Sequence, residues 1–154
     1  MPSTASLISR LKLDYPQFTF KRSSDYLWSP ADHTVFYTSD GNSYGLLLHE
    51  LSHGLLNHID YGYDIDLIAM ERAAWDMATA ISVNYDLEIS DELIESTLDS
   101  YRDWLHARSS CPNCNATGLQ IKKRTYSCPA CRHTWRVNEA RICALRRYDS
   151  DKIK

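Results

Sequence analysis

The first 110 residues of this chain contain no cysteine, and the first 107 contain only six of its 17 Lys and Arg. Apolar runs long enough to span a bilayer are missing too, so no membrane partner is expected. No internal repeat or low-complexity tract appears, and no signal-peptide pattern is seen. With its cysteines read as reduced, the protein is expected to be cytoplasmic. The basic residues missing from the front gather at the back. Residues 1–107 set six Lys and Arg against 17 Asp and Glu, a net of −11; residues 108–154 set eleven against three, a net of +8. This asymmetry predicts an acidic domain over 1–107 and a small basic domain over 108–154. It points to nucleic acid or an acidic protein as partner, or to a basic module docked on its own acidic body.

His49-Glu50-Leu51-Ser52-His53 reads HExxH inside an apolar stretch, Leu46-Leu47-Leu48 to Leu55-Leu56. Residues four apart on an α-helix differ by about 40° around the axis, so both imidazoles can share one Zn²⁺. Glu50 lies beside them, where a carboxylate can take a proton from water without ligating the metal. With six His and six Glu in 154 residues, chance produces the pattern in roughly one such sequence per hundred. A His-Glu-His cluster among leucines is also costly to bury without a metal.

A catalytic zinc needs a third protein ligand. The next helical segment, about Asp64 to Tyr85, offers Glu71, 18 residues beyond His53. Glu71, Ala74 and Ala78 follow i, i+3, i+7 and share a face, where the alanines would let helices approach closely. His58 is the rival. Five residues past His53 is about 140° around a helix, so His58 reaches the metal only if the helix breaks near Asn57. A turn or supporting role suits it better. Asp76 is read either as a carboxylate backing a ligand imidazole or as a surface residue. Asp60, Asp64 and Asp66 read as a polar turn and the charges of a helix start.

Cys111-Pro112-Asn113-Cys114, thirteen residues, then Cys128-Pro129-Ala130-Cys131 form two C-P-x-C knuckles. Each knuckle offers two thiolates on a tight turn, and a hairpin through Leu119–Ile121 and Thr125–Tyr126 brings the pairs around a tetrahedral ion. His133 to Val137 alternates like a third strand. Four thiolates leave no open position, so this second Zn²⁺ is expected to be structural. Cys143 reads as a free thiol on a tail, and Arg108-Ser109-Ser110, ending the helix before the first knuckle, reads as a hinge to the ribbon. Lys122, Lys123, Arg124, Arg132 and Arg136 surround Tyr126 and Trp135, a mixture suited to phosphate contact and base stacking; Trp135 reads equally well as the ribbon's core.

Together, HELSHGLLNH and the following ExxAxxxA helix resemble the ImmA/IrrE family of metallopeptidases, whose members show HELGHALLxH followed by E..A..FA on a small gluzincin-like fold. The resemblance covers about residues 15 to 85. Phe18 to Phe20, Trp28 to Pro30 and Val35 to Tyr37 look like that family's short β-meander. The resemblance implies zinc on His49, His53 and Glu71, Glu50 as general base, and a specific protein substrate such as a transcriptional repressor. Ser52 stands where the family usually has Gly, and no helix-turn-helix is present. SprT-like proteases also join HExxH to a C-terminal zinc ribbon, but their third ligand is a downstream His, here only His58.

The expected fold is α+β: a small antiparallel sheet, three or four helices, then a zinc ribbon. The expected function is a zinc endopeptidase with two Zn²⁺, its substrate held as an added strand along an edge around Val35 to Thr38, with Tyr61, Tyr63 and His58 as loop candidates for oxyanion support. The alternatives are a SprT-like nucleic-acid-associated protease, a non-catalytic nucleic-acid-binding regulator working through the ribbon, and a partner-binding scaffold in which both ions are structural.

Overall fold

Four helices and two small sheets make up the described residues, an α+β arrangement, in the computed structural model, which describes residues 2–39, 43–139 and 145–149. By contacts the chain divides into two compact units. The first comprises Met1–Asp60 and Met70–Glu95, the second Tyr61–Ala69 and Ser96–Lys154. The change of charge and motif at residue 107 is thus not where the contacts divide, because helical segments before it, within 61–69 and 96–107, join the ribbon's unit. Cys143 lies outside the described residues.

In the first unit, α1 (Thr4–Asp14) starts at Ser3, whose hydroxyl accepts from the Ser6 backbone N–H, and buries Leu7, Ile8 and Leu11. Strands β1 (Thr19–Arg22), β2 (Leu27–Ser29) and β3 (Thr34–Tyr37) follow. The sheet order is β1-β3-β2, with β1 parallel and β2 antiparallel to β3. The expected antiparallel meander is therefore a mixed sheet, and Val35 to Tyr37, expected at an edge, lies in its middle. The burial follows this order: Thr34 and Val35 of β3 are both buried, whereas β1 ends in exposed Lys21 and Arg22, which suit an edge.

Helix α2 (Tyr44–Leu55) carries HELSH and buries all of Leu47, Leu48, His49, Leu51, Ser52, His53 and Gly54. A Cβ at Gly54 would press on the rings of Trp28 and Phe18, so the missing side chain lets these aromatics seat against the helix. The helix stops at Asn57, which takes a left-handed φ of 57°. There His58 N–H donates to His53 O at 3.0 Å and Asn57 N–H to Gly54 O at 3.1 Å, closing the carbonyls the helix leaves open.

Helix α3 (Asp64–Ser82) has Asp64 and Asp66 in its first turn, and a 3₁₀ turn (Val83–Tyr85) follows it. Helix α4 (Asp91–Ser109) begins after Ser90, whose hydroxyl accepts from Leu93 N–H at 3.2 Å. Residues 70–82 and 91–95 of these helices belong to the first unit, 64–69 and 96–109 to the second.

The second unit continues as β4 (Leu119–Lys122), β5 (Thr125–Ser127), β6 (Thr134–Val137) and β7 (Arg147–Asp149), an antiparallel sheet in that order. Its core is Cys111, Tyr126, Cys128, Trp135 and Val137. Arg108 to Ser110, where sequence suggests a hinge, is instead anchored. Arg108 is 2 % exposed; its Nε donates to Asp64 Oδ2 at 2.8 Å, and its guanidinium also donates to Asn138 O. Tyr126 OH donates to the same Asp64 oxygen at 2.5 Å, and Trp135 Nε1–H donates to Arg108 O at 3.0 Å. A buried charge needs this much pairing.

Candidate metal centres

Helix α2 presents His49 and His53 one turn apart, and α3 presents Glu71. Their ligand atoms converge: His49 Nε2 lies 2.8 Å from Glu71 Oε2 and 3.1 Å from His53 Nε2, and His53 Nε2 lies 3.4 Å from Glu71 Oε1. All three residues are buried. A tetrahedral ion with bonds near 2.0–2.1 Å separates its ligand atoms by about 3.3 Å, so one divalent ion fits this triangle with small adjustments. Ala74 and Ala78 are fully buried beside Glu71, as the i, i+3, i+7 face anticipates. Burial pushes the Glu71 carboxyl up, but hydrogen bonds from His49 and His53 and their charges outweigh it and hold it at about 2. A carboxylate kept ionised in a dry site is ready to ligate a cation.

His58 faces this cluster because the helix breaks at Asn57, yet it stands behind His53. Its Nδ1 is 2.8 Å from His53 Nδ1, on the far side of that ring from the convergent Nε2. It is outside the three-residue group whose atoms could hold one ion. Burial, then the neighbouring His53, lower its pKa despite the opposing effect of Glu71. A neutral His58 can accept the His53 Nδ1 proton and so fix the ring with Nε2 toward the triangle.

Glu50 is half-buried, and its Oε2 accepts the backbone N–H of Trp28 at 2.8 Å. Two tryptophans that the sequence did not single out shape the surroundings. Trp28 in β2 also donates its indole N–H to His58 O at 3.1 Å. Trp75, four residues after Glu71, stacks on His49 with ring centroids 4.1 Å apart. The signal for Trp75 was its i+4 position from Glu71; for Trp28 no local pattern exists, since its role depends on chain pairing. His49 Nδ1 and Trp75 Nε1 are buried without a hydrogen-bond partner among the described residues.

The other candidates stand elsewhere. Asp76 is exposed and hydrogen-bonds neither imidazole. Tyr61 and Tyr63 belong to the second unit, where Tyr61 meets the Trp104 ring edge-on and Tyr63 is 46 % exposed.

In the second unit the four cysteines form the other group, their sulfurs within 4.8 Å of one another. Cys111 and Cys131 Sγ lie 3.6 Å apart, Cys114 and Cys128 Sγ 3.5 Å apart, far longer than a disulfide and close to the roughly 3.8 Å edge of a four-thiolate zinc site. The two knuckles repeat one geometry. Asn115 and Arg132, each following a second cysteine, take left-handed φ values of 65° and 64°. Their N–H groups donate to Cys111 O and Cys128 O, both at 2.9 Å. Asn113, then the His133 backbone, pull the Cys131 thiol down. Cys114, although a backbone contact at Ala116 lowers it, is driven up by the neighbouring sulfurs. Four thiolates this close cannot all ionise without a cation, and the site therefore fits one.

Of the basic candidates, Lys122, Lys123, Arg124, Arg132 and Arg136 are all exposed. Arg124 pairs with Glu139 at 2.8 Å, and Arg136 lies over the Tyr148 ring. Tyr126 and Trp135 are 2 % and 0 % exposed, so they are the ribbon's core and offer no face for base stacking.

Among the described residues, no helix is long and apolar enough to cross a membrane. Comparison with known proteins returns no matching family model, no matching curated protein and no matching solved structure.

Proposed function

We propose that this chain is a zinc-dependent endopeptidase of the ImmA/IrrE type, with a second, structural zinc on Cys111, Cys114, Cys128 and Cys131. The observation that carries the reading is the buried triangle of His49, His53 and Glu71 with Glu50 one residue along the same helix. Zn²⁺ bound there supplies Lewis-acid polarisation of a peptide carbonyl and makes water more acidic. Glu50 handles the protons: Oε2 is held by Trp28 N–H, which leaves Oε1 to take a proton from the attacking water and return it to the departing amine nitrogen. His58 keeps His53 in the ligating tautomer. A substrate strand cannot add to central β3 and pairs instead along an outer edge; β2 is favoured because its Trp28 touches Glu50. His58 placed behind His53, rather than on the triangle, argues for Glu71 as third ligand over the SprT-like arrangement.

The test compares two variants on an unstructured reporter polypeptide. Glu50→Gln is expected to lower cleavage by roughly 10²–10⁴-fold with metal content and unfolding temperature unchanged. Glu71→Ala is expected to empty the His/Glu site. Loss of metal in His58→Ala but not in Glu71→Ala would reverse the ligand assignment.

A further inference from the structure

We propose that the outer edge of β4, with the groove beside it, docks an extended acidic segment of another protein. Strand β4 is the last strand of its sheet, and among the described residues only β5 pairs with it. Leu119 and Ile121 are 64 % and 52 % exposed, Ile121 at an irregularity in the pairing with β5, whereas exposed edges usually carry charge. A groove of about 350 Å³ opens there, walled by Tyr63, Ile65, Leu105, Leu119 and Tyr126. Gln120 holds the strand in place by accepting Asp64 N–H at 2.7 Å. An added strand would satisfy β4's backbone and place alternate side chains in the groove. Lys122 ends the strand and Lys123 starts the next turn, ahead of Arg124, which is paired with Glu139, so the complementary segment is acidic as well as apolar. Nucleic acid fits less well, since the ribbon's large aromatics are buried and an apolar groove offers phosphate nothing. This inference is independent of the peptidase reading.

The test selects displayed random twelve-residue peptides on the full zinc-loaded chain, with counterselection on Leu119→Glu, an exposed position whose change leaves the core intact. Peptides alternating large apolar residues with Asp or Glu are expected. The best synthetic one should shift the amide signals of Leu119 to Lys122, bind roughly tenfold more weakly to Ile121→Glu, and weaken with salt. No enrichment over Leu119→Glu, enrichment of basic peptides, or tighter binding of dT12 than of any peptide would overturn the proposal.

Within the first unit, the geometry points separately to Trp28 as a positioning residue for the His/Glu site. One side chain and its own backbone make both contacts: the main-chain N–H holds Glu50 Oε2, and the indole N–H holds His58 O, whose ring backs His53. Strand β2 therefore sets the base and the support of a ligand together. This rests on the metal site proposed above but not on catalysis. Zn²⁺ affinity of the full chain, read by chelator competition, is compared in Trp28→Phe, His58→Ala and the double variant. Phenylalanine keeps a ring against Phe18 but removes the indole donor together with part of the ring that faces Gly54, and the double variant separates the two effects, because a loss through packing would add to that of His58→Ala. Each single change is expected to weaken binding about tenfold, with the double variant no weaker than His58→Ala. Unchanged affinity in Trp28→Phe, or multiplying effects in the double variant, would overturn it. A wild-type chain that binds no zinc at this site would instead sink the peptidase reading itself.

Discussion

Glu71 is a carboxylate that burial alone would neutralise and that two imidazoles keep ionised, from an ordinary 4.5 down to about 2. Its folded-state pKa lies below its unfolded one. The stability it contributes is therefore complete above the ordinary carboxylate range and is lost as pH falls from about 4.5 toward about 2. In metal-free protein, Glu71→Gln should make that part of the stability curve shallower, with urea midpoints falling less between these pH values than in the parent. Equal slopes in the two proteins would mean that the His49 and His53 contacts do not set the ionisation.

Among elements, α2 is defined by where it stops. Asn57 at φ 57° turns His58 back onto His53; a straight continuation would carry it about 140° away. Asparagine tolerates this conformation, glycine prefers it and β-branched residues resist it. Asn57→Gly should leave stability within a few tenths of a kcal/mol, whereas Asn57→Val should cost about 1–2 kcal/mol. It should also weaken metal binding at the His/Glu site by moving His58. Urea unfolding and chelator competition check the two effects, and a neutral Asn57→Val would show that the turn is held by its surroundings. The mixed sheet teaches a similar lesson: the family resemblance marked these segments as strands, but the order β1-β3-β2 appears only in the folded chain, with the more buried β3 at the centre.

At the largest scale, the ribbon is anchored within its own unit to the helical segments 64–69 and 96–109. Asp64, 3 % exposed, is paired with Arg108 and Tyr126 inside the second unit. Arg108→Met leaves a buried charge without its cation and should cost about 3–5 kcal/mol, and joining it with Asp64→Leu should restore most of that loss. Thermal unfolding checks both, and a mild single change would mean that Asp64 finds another partner. Cutting the chain after Ala107 removes the same partners. The two metal groups should behave differently as well. The full chain is expected to carry two zinc ions, with the His/Glu ion released first as pH falls and its imidazoles protonate, and the four-cysteine ion resisting mild chelation. Metal analysis across a pH series checks this; a single ion held by cysteines alone would remove the enzymatic reading.

Local chemistry at short spacing was legible from the amino acids themselves. HExxH on a helix, two C-P-x-C knuckles and the Glu71, Ala74, Ala78 face all depend on periods of a few residues, and the backbone obeys those periods wherever it goes. Separated residues were decided only by the tertiary structure. Trp28 reached Glu50 and His58, Arg108 became a buried partner rather than a hinge, β3 took the centre of its sheet, and Tyr126 and Trp135 turned inward. Each of these depends on which surfaces exclude water together, a property of the packed chain that no window of neighbouring residues contains.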